Sequence, residues 1–253
     1  MSSAPAKIGI LGAEGRMGRA LLHEIEKHEG AQLVCALTSL ESANTGAPYG
    51  PTVLSADVGA ALQNCDALID FSHPKAAIDA ALLMHSTPCK TLVTGTTGYS
   101  ETEEEALIAS ASQITLVKSG NFSVGICLLE SLVEIAARTL NNTDWDASIL
   151  DIHHRHKIDA PSGTALMLGH AVERGQNASG RSGGNVPKIE YAAQRIGGVI
   201  GVHHVSLASE LETLTLSHSA NDRSVFAAGA LTAALWAIGQ PNGLYTMQDV
   251  LGL

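Results

Sequence analysis

The chain is poor in the residues that mark several protein classes. Aromatic residues make up 4% and charged residues 16% of its 253 residues, whereas apolar residues make up 45%. This balance is typical of a globular chain with one large or two modest domains, and it excludes intrinsic disorder. Basic residues are also scarce, with 15 Lys and Arg against 25 Asp and Glu. The formal charge of −10 argues against a general binder of nucleic acid or of membrane surfaces.

Cysteine pairs and export signals are missing as well. The four cysteines, Cys35, Cys65, Cys89 and Cys127, are scattered through apolar segments without a CxxC pair. This pattern favours reduced core thiols over disulfides or metal ligands. The opening MSSAPAK lacks the charged start and apolar run of a signal peptide, and no apolar segment reaches membrane-spanning length. We therefore expect a cytoplasmic protein with no membrane partner.

The first motif is a glycine turn between a predicted strand (7–11) and a predicted helix (19–27). Its spacing is GxxGxxG, one residue off the common GxGxxG of dinucleotide-binding proteins. Glycines there let a pyrophosphate approach the helix N-terminus. An ordinary packing turn is the alternative, but the position in the first strand-to-helix turn favours a cofactor site. The predicted cofactor contacts in this turn are Gly12, Ala13, Glu14, Gly15, Arg16 and Met17.

The end of the second predicted strand (32–37) bears on the choice of cofactor. A NAD-selective site normally has an Asp or Glu there, which accepts hydrogen bonds from the ribose hydroxyls. Thr38 and Ser39 stand at this place instead. Neutral hydroxyls do not repel a 2′-phosphate, so they favour NADPH or dual use with NADH, and Arg16 could supply positive charge. The alternative is that Thr38 and Ser39, which we assign as cofactor contacts, merely turn the chain.

Strands predicted at 67–71, 91–94 and 114–118 extend an open α/β sheet. A capping box at Ser100 and Glu103 predicts the start of one of its helices. Ligands of such sheets bind beyond the carboxyl ends of the strands, so two turns at those ends are candidate cofactor contacts. Their residues are Gly95, Thr96, Thr97, Ser119, Gly120, Asn121 and Phe122.

The pattern changes after a predicted amphipathic helix at 123–140. Four alternating segments with one helix between them (164–173) indicate an antiparallel or mixed sheet, hence a second domain. A polar, glycine-rich loop is predicted at 181–187. The alternating segments are 146–153, 188–196, 199–208 and 212–219.

The predicted fold class is therefore α/β with two domains. A Rossmann-type dinucleotide-binding domain covers 1–123, and the C-terminal segment 234–253 packs back on it. A C-terminal α+β domain with an open mixed sheet covers 124–233. This second domain is expected to bind substrate and to form oligomers through its sheet.

The segment 151–165, DIHHRHKIDAPSGTA, concentrates groups that carry out proton chemistry. Imidazole gives or takes a proton most easily near neutral pH, and Lys157 adds fixed positive charge. The PSGT turn opens a helix, so Gly163 and Thr164 are expected to offer backbone N–H groups to a carboxylate. A small substrate with several carboxylates fits such a pocket. The alternative is a solvated basic loop, which the density of groups argues against.

A zinc site is a sharper alternative, because three histidines lie within four residues. No HExxH or paired CxxC accompanies His153, His154 and His156, and neighbours on an extended strand face opposite ways. We therefore predict no metal site. The remaining strand histidines are interpreted as sheet or interface residues: His203, His204 and His218.

Four motifs in order resemble those of the 4-hydroxy-tetrahydrodipicolinate reductase family, also called dihydrodipicolinate reductases. They are GAEGRMGR at 12–19, GTTG at 95–98, NFSVG at 121–125 and HHRHKIDAPSGTA at 153–165, and the resemblance runs on to the closing LYTMQDVLGL. It implies a cytoplasmic homotetramer that reduces a cyclic imine dicarboxylate of the diaminopimelate route to lysine with NADH or NADPH. It also implies a Rossmann domain and an α+β domain whose sheet forms the tetramer core.

The resemblance also implies roles for single residues. His153 matches the proton donor or acceptor, and Lys157 matches the second proton-donating group. The chain departs from some relatives at Thr38 and Ser39, where they carry an acidic and a basic residue. It also departs at Asp151, where others carry Glu. The matching substrate-binding positions are His154, Gly163 and Thr164.

Other functions remain open from the residues alone. One is a dehydrogenase acting on a different small acid. Another is a nicotinamide-sensing protein that binds cofactor without turnover, although this leaves the His-rich segment unexplained. A zinc hydrolase is a third.

Overall fold

Two compact units make up the chain in the computed structural model, which describes residues 4–140, 145–178 and 188–253. The first unit comprises Met1–Ser123 and Ser224–Gly252, and the second comprises Val124–Arg223 with Leu253. The loop predicted at 181–187 lies outside the described residues. No described helix is both long enough and apolar enough to cross a membrane.

The helices and strands alternate along the first half of the chain, as in an α/β fold. The strands are β1 (Ala6–Leu11), β2 (Ala31–Leu37), β3 (Pro48–Tyr49), β4 (Thr52–Ser55), β5 (Ala67–Asp70), β6 (Thr91–Thr94), β7 (Thr115–Lys118), β8 (Asp146–His153), β9 (Glu190–Arg195), β10 (Gly201–Ala208), β11 (Thr213–Ala220) and β12 (Gly243–Tyr245). The helices are α1 (Arg16–Lys27), α2 (Val58–Leu62), α3 (Pro74–Met84), α4 (Glu101–Ala109), α5 (Val124–Thr139), α6 (Gly163–Ala178), α7 (Ser224–Ala237) and α8 (Met247–Leu251).

The first unit is organised by a sheet with the strand order β12-β7-β6-β5-β1-β2-β4-β3. All its pairings are parallel except that of β3 with β4. The chain runs outward from β1 to β2 on one side and then returns to β5 on the other. In open α/β sheets this reversal of strand order marks the ligand crevice, at the carboxyl ends of the strands.

Helix α7 belongs to the first unit over its whole length, whereas the sequence places the domain boundary at 233. Its small, apolar side chains allow close packing against α1 and against strands β5, β6 and β7. Ala227, Ala230 and Ala234 are fully buried there. Cutting this helix at 233 would expose that surface, so the second unit ends at Arg223 instead.

The second unit contains a four-stranded sheet with the order β11-β10-β8-β9. Strand β10 pairs antiparallel with β8 and β11, whereas β8 and β9 are parallel, so the sheet is mixed. Side chains from β8 and β10 pack with those of α5 and α6 around Ile149 and Val205, both fully buried. The predicted fold class, a Rossmann-type domain followed by a domain with a mixed sheet, is confirmed.

Candidate active site

An aspartate and a histidine on one face of β8 form the centre of the candidate site. Asp151 and His153 are two residues apart, so both side chains point to the face that Ala147 and Ile149 bury. Asp151 is fully buried and His153 is 8% exposed. The Nδ1 atom of His153 is hydrogen-bonded to Asp151 Oδ1. Strand alternation therefore brings a carboxylate and an imidazole together inside the second unit.

Donors from two other segments hold the Asp151 carboxylate. The Ser162 backbone N–H donates to Oδ2 at 2.6 Å. Arg195 is the last residue of β9 and lies opposite His153 in the parallel pairing. Its Nη1 and Nη2 atoms each lie 3.3 Å from one carboxylate oxygen. Because Arg195 Nη2 also donates to the Asp159 carbonyl oxygen at 2.6 Å, the guanidinium ties the loop after β8 to the same centre.

The protonation states of this pair follow from burial and hydrogen bonding. Burial alone would raise the pKa of Asp151, but hydrogen bonds from Ser162, Arg195 and His153 outweigh it and lower that pKa overall. Burial lowers the pKa of His153, and the Asp151 carboxylate offsets this only in part. An ionised carboxylate only accepts hydrogen bonds, so Nδ1 of His153 carries a proton. Nε2 is therefore the nitrogen left to exchange a proton with a substrate.

Gly201 leaves room beside that nitrogen. It is the first residue of β10, and a Cβ built on it would lie 3.1 Å from His153 Nε2. This is tighter than ordinary van der Waals contact, so a larger residue would push against the ring. The absence of a side chain at position 201 therefore leaves space beside Nε2 of His153.

A second buried histidine, which the sequence analysis interprets as a sheet or interface residue, packs against the first. His203 lies opposite Asp151 on β10 and is 4% exposed. Its ring meets that of His153 edge-to-face, with centroids 5.2 Å apart, and its Nε2 lies 3.2 Å from Ser162 Oγ. Burial lowers the pKa of His203 to about 4, so it is a neutral support for the site.

Lys157 lies in the loop that follows β8. Its backbone N–H donates to the His154 carbonyl oxygen at 3.1 Å, forming a turn. Its Nζ lies 2.8 Å from Asp159 Oδ2, and its side chain is 23% exposed. The hydrogen bond from Lys157 lowers the pKa of Asp159. His154 is half-buried, with its ring centroid 6.2 Å from that of His156.

The N-terminus of α6 lies next to this loop, as the sequence predicts. Ser162 precedes the helix, and its Oγ accepts from the Ala165 N–H at 3.2 Å. Gly163 and Thr164 are the first two helical residues; Gly163 is exposed and Thr164 is half-buried. The N–H groups of a first turn have no acceptor within the helix and favour anions. Because the Ser162 N–H also donates to Asp151, the helix start is fixed relative to the Asp151 and His153 pair.

Three side chains of this centre have metal-ligand chemistry. Asp151, His153 and His203 each bring one possible ligand atom within 4.8 Å of the others. However, the Asp151 oxygens already accept from Ser162 and from the guanidinium of Arg195. A fixed cation on the carboxylate disfavours a second cation there. The arrangement suits proton transfer better than metal binding.

The glycine turn of the first unit has the form that a dinucleotide needs. Gly12 has a φ of +84°, and a Cβ there would lie 2.6 Å from the Phe71 carbonyl oxygen, so only glycine fits. The Gly12 and Ala13 N–H groups both donate to the Leu37 carbonyl oxygen, at 3.1 and 3.0 Å, which fixes the turn against β2. Helix α1 begins directly after Gly15. Its N-terminus and this turn fit a pyrophosphate.

The remaining residues of the turn differ in exposure. Arg16 is exposed at the first position of α1, and Met17 is partly buried. The Glu14 carboxylate accepts from the hydroxyl of Thr38, so the turn and the end of β2 are in direct contact. Ser39 is exposed beside them. A cleft of roughly 250 Å³ brings together Gly12, Glu14, Gly15, Thr38 and Ser39.

The two later turns lie at the carboxyl ends of β6 and β7 and do not line that cleft. Thr96 is buried, and its Oγ1 accepts from the Ser72 N–H at 3.0 Å. Ser119 Oγ donates to the Asn121 carbonyl oxygen at 2.6 Å. Phe122 is 1% exposed, and its backbone is in close contact with α7. The other residues of these turns differ in exposure. Thr97 and Gly120 are exposed, whereas Gly95 is partly buried and Asn121 is buried.

Known proteins match this chain over nearly its full length. The family model described as dihydrodipicolinate reductase, N-terminus, matches residues 6–122, and that of the C-terminus matches 125–251. A 4-hydroxy-tetrahydrodipicolinate reductase of Caulobacter vibrioides is 42% identical, over 99% of this chain and 98% of its own. One of Rhizobium rhizogenes is 43% identical, over 100% of this chain and 99% of its own.

A solved structure has the same fold. It is a dipicolinate-bound dihydrodipicolinate reductase from Paenisporosarcina sp. TG-14, with a TM-score of 0.79, 20% sequence identity, and coverage of 97% of this chain and 98% of its own. The resemblance found in the sequence motifs is thereby confirmed over the full length. The chain belongs to the dihydrodipicolinate reductase family.

Proposed function

We propose that the chain reduces the cyclic imine dicarboxylate 4-hydroxy-tetrahydrodipicolinate to tetrahydrodipicolinate, using NADH or NADPH, in the diaminopimelate route to lysine. The relatives carry the name 4-hydroxy-tetrahydrodipicolinate reductase, which states this reaction. The observation that supports it best is the buried Asp151 and His153 pair beside Lys157 and the start of α6. This cluster combines a proton donor with an anion-binding helix end.

The substrate carboxylates are proposed to bind where positive charge and backbone donors converge. One carboxylate accepts from the first turn of α6, at Gly163 and Thr164, where the helix dipole favours negative charge. His154 and Lys157 lie in the adjacent loop and are proposed to contact the same dianion. Arg195 contributes indirectly, because it ties this loop to Asp151.

The chain's own part in the chemistry is to move a proton. The glycine turn and the later turns of the first unit would hold a nicotinamide cofactor, which would supply the hydride when bound. Loss of the 4-hydroxyl group as water gives a conjugated C=C/C=N system. Hydride addition to that system leaves an electron pair, and a proton must reach it for the charge to balance. His153 gives that proton from Nε2 while Asp151 keeps hold of Nδ1. Lys157 serves as the second proton donor.

The protonation state of His153 makes this role depend on the substrate. Burial favours the neutral ring, since it lowers the pKa of His153. A dicarboxylate bound nearby has the opposite effect, because an anion stabilises the imidazolium. The site is therefore expected to load a proton when substrate binds. Neutral His203, packed edge-to-face, holds the ring without adding a competing charge.

We also propose a cytoplasmic homotetramer that binds neither nucleic acid nor membranes. All four cysteines are buried free thiols, which suits a reducing compartment. The second unit's sheet has an outer face on β8 made by Ser148, Leu150 and Ile152, whose side chains are exposed or half-exposed. A sheet face of this kind can pair with other copies of the chain.

The proposal is tested by following nicotinamide absorbance with substrate made in situ from pyruvate and aspartate semialdehyde by the upstream synthase. NADH and NADPH are run in parallel, and cofactor binding is measured separately by fluorescence. Rapid oxidation that requires the substrate supports the reductase. Binding without turnover would favour the sensor instead, and turnover only with other small acids would favour a different dehydrogenase.

A further inference from the structure

In most dinucleotide sites an acid at the end of the second strand binds the adenosine ribose. Strand β2 supplies no such acid here, but the Glu14 carboxylate lies beside its end. Strand β2 ends at Leu37 and is followed by the neutral Thr38 and Ser39. The space next to Thr38 is taken by Glu14, which comes from the glycine turn before α1. Both residues line the same cleft of roughly 250 Å³. The Thr38 hydroxyl thus donates to the Glu14 carboxylate, which places a negative charge beside the end of β2.

Three neutral donors hold this carboxylate. Thr38 Oγ1 donates to Oε2, Ser42 Oγ donates to Oε2 at 2.6 Å, and Asn44 Nδ2 donates to Oε1 at 2.5 Å. These hydrogen bonds, that from Ser42 first, lower the pKa of Glu14 to about 2. The attraction of Arg19 has a smaller effect than any of them. The group therefore stays ionised at neutral pH, and its negative charge is oriented but not neutralised.

The same geometry leaves the carboxylate able to accept one more hydrogen bond. A carboxylate has about four acceptor positions. Among the described residues, side-chain donors fill two positions on Oε2 and one on Oε1. A ribose hydroxyl of a dinucleotide could donate to the fourth. A 2′-phosphate in its place would bring like charges together in the same cleft.

We propose that Glu14 is the residue that selects NADH over NADPH in this chain. It performs from the glycine turn the task that an acid at the end of the second strand performs in other dinucleotide sites. The inference rests on the proposed cofactor-dependent function, and it reverses the preference that Thr38 and Ser39 indicate when they are read without their partner.

The test measures the dissociation constants of NADH and NADPH by fluorescence titration, together with kcat/KM for each. The variants are Glu14→Gln, which removes the charge and keeps the shape, and Thr38→Val, which removes one donor. Glu29→Gln is the matched control, because Glu29 is an exposed acid before the amino end of β2. Circular dichroism checks that each variant folds.

The wild type is expected to bind NADH more tightly than NADPH. Glu14→Gln is expected to raise the NADPH-to-NADH affinity ratio by at least about tenfold, mainly by improving NADPH, because a like charge has been removed. Thr38→Val shifts the ratio in the same direction but less, and Glu29→Gln leaves it unchanged. An unchanged ratio in Glu14→Gln, or equal binding of both cofactors by the wild type, would overturn the inference and leave the reductase intact. Failure of the wild type to bind either cofactor would instead remove the proposed function.

Discussion

Replacing the buried carboxylate of Asp151 by an amide tests whether this carboxylate holds His153, Ser162 and Arg195 together. Among the described residues, every partner of that carboxylate is a donor: His153 Nδ1, the Ser162 N–H and the Arg195 guanidinium. In Asp151→Asn the amide oxygen can still accept, but the new NH2 group must face one of these donors. The variant therefore loses charge-assisted hydrogen bonds and also leaves a donor unsatisfied.

The size of the effect can be worked out from the contacts. Removing one partner of a buried ion pair costs roughly 3–5 kcal/mol. Arg195 is 18% exposed and keeps three backbone carbonyl acceptors, at 2.6, 2.8 and 3.4 Å, so the cost should be at the lower end. We expect Asp151→Asn to lose about 3 kcal/mol of the free energy of unfolding of the second unit. The exposed Asp159, changed to Asn as a control, should lose only about 0.2–1 kcal/mol.

Urea unfolding followed by tryptophan fluorescence can report on the second unit separately from the first. The chain has two tryptophans: Trp145 is buried in the core of the second unit, and Trp236 lies on α7 in the first. A Trp236→Phe background makes Trp145 the reporter of the second unit alone. Because the folded pKa of Asp151 is lowered, its contribution is present above the unfolded pKa of about 3.9 and fades as pH falls through the folded value. A loss below about 1 kcal/mol would refute the anchoring role.

The same variant should also change the chemistry. Asp151 raises the pKa of His153, so removing its charge lowers that pKa further. If protonated His153 is the donor, the fall of kcat/KM on the alkaline side moves to lower pH, and kcat drops by about a hundredfold. A pH profile that keeps its position would show that His153 does not titrate under the control of Asp151.

Three further changes have defined outcomes. His153→Ala should mainly lower kcat, whereas Thr164→Ala should mainly raise KM, in steady-state kinetics with saturating cofactor; unchanged kinetics in His153→Ala would remove its catalytic role. Gly201→Ala puts a Cβ 3.1 Å from His153 Nε2, so kcat should fall by about tenfold with little loss of thermal stability, and full activity would mean that this nitrogen is not used. Burial lowers the pKa of His203 from 6.5 to about 4, so the unfolded state binds more protons than the folded state between these pH values. The free energy of unfolding should therefore fall by about 3 kcal/mol as the pH drops from 6.5 to 4. In His203→Gln the urea midpoint should depend less steeply on pH.

Local patterns predicted most of the fold. The strand at 91–94 and the capping box of Ser100 and Glu103 are confirmed, because both are defined by adjacent residues. Elements of two to five residues were missed, since they are too short to show a period. These are β3, β4 and β12 and helix α2.

The candidate site shows the same division between local and distant information. The roles of His153 and Lys157 remain predictions, although their positions suit them. Neither Arg195 nor His203 could be placed from the sequence, because strand register decides that they meet Asp151. Alternation with the core residues of β10 is the one signal that could have shown His203 to be buried. In the same way, only the folded chain brings the glycine turn onto the end of β2.

Tracing the hydride shows whether the chain is a reductase in which His153 takes part. The purified chain is supplied with nicotinamide cofactor deuterated at both C4 positions and with the imine dicarboxylate generated in situ, and the product is analysed by mass spectrometry. We predict that the wild type transfers one deuterium to the dicarboxylate for each cofactor oxidised, and that His153→Ala transfers it far more slowly while binding cofactor normally. Cofactor oxidation without deuterium in the dicarboxylate would contradict the proposed reduction, and equal transfer rates in the two proteins would contradict the proposed role of His153.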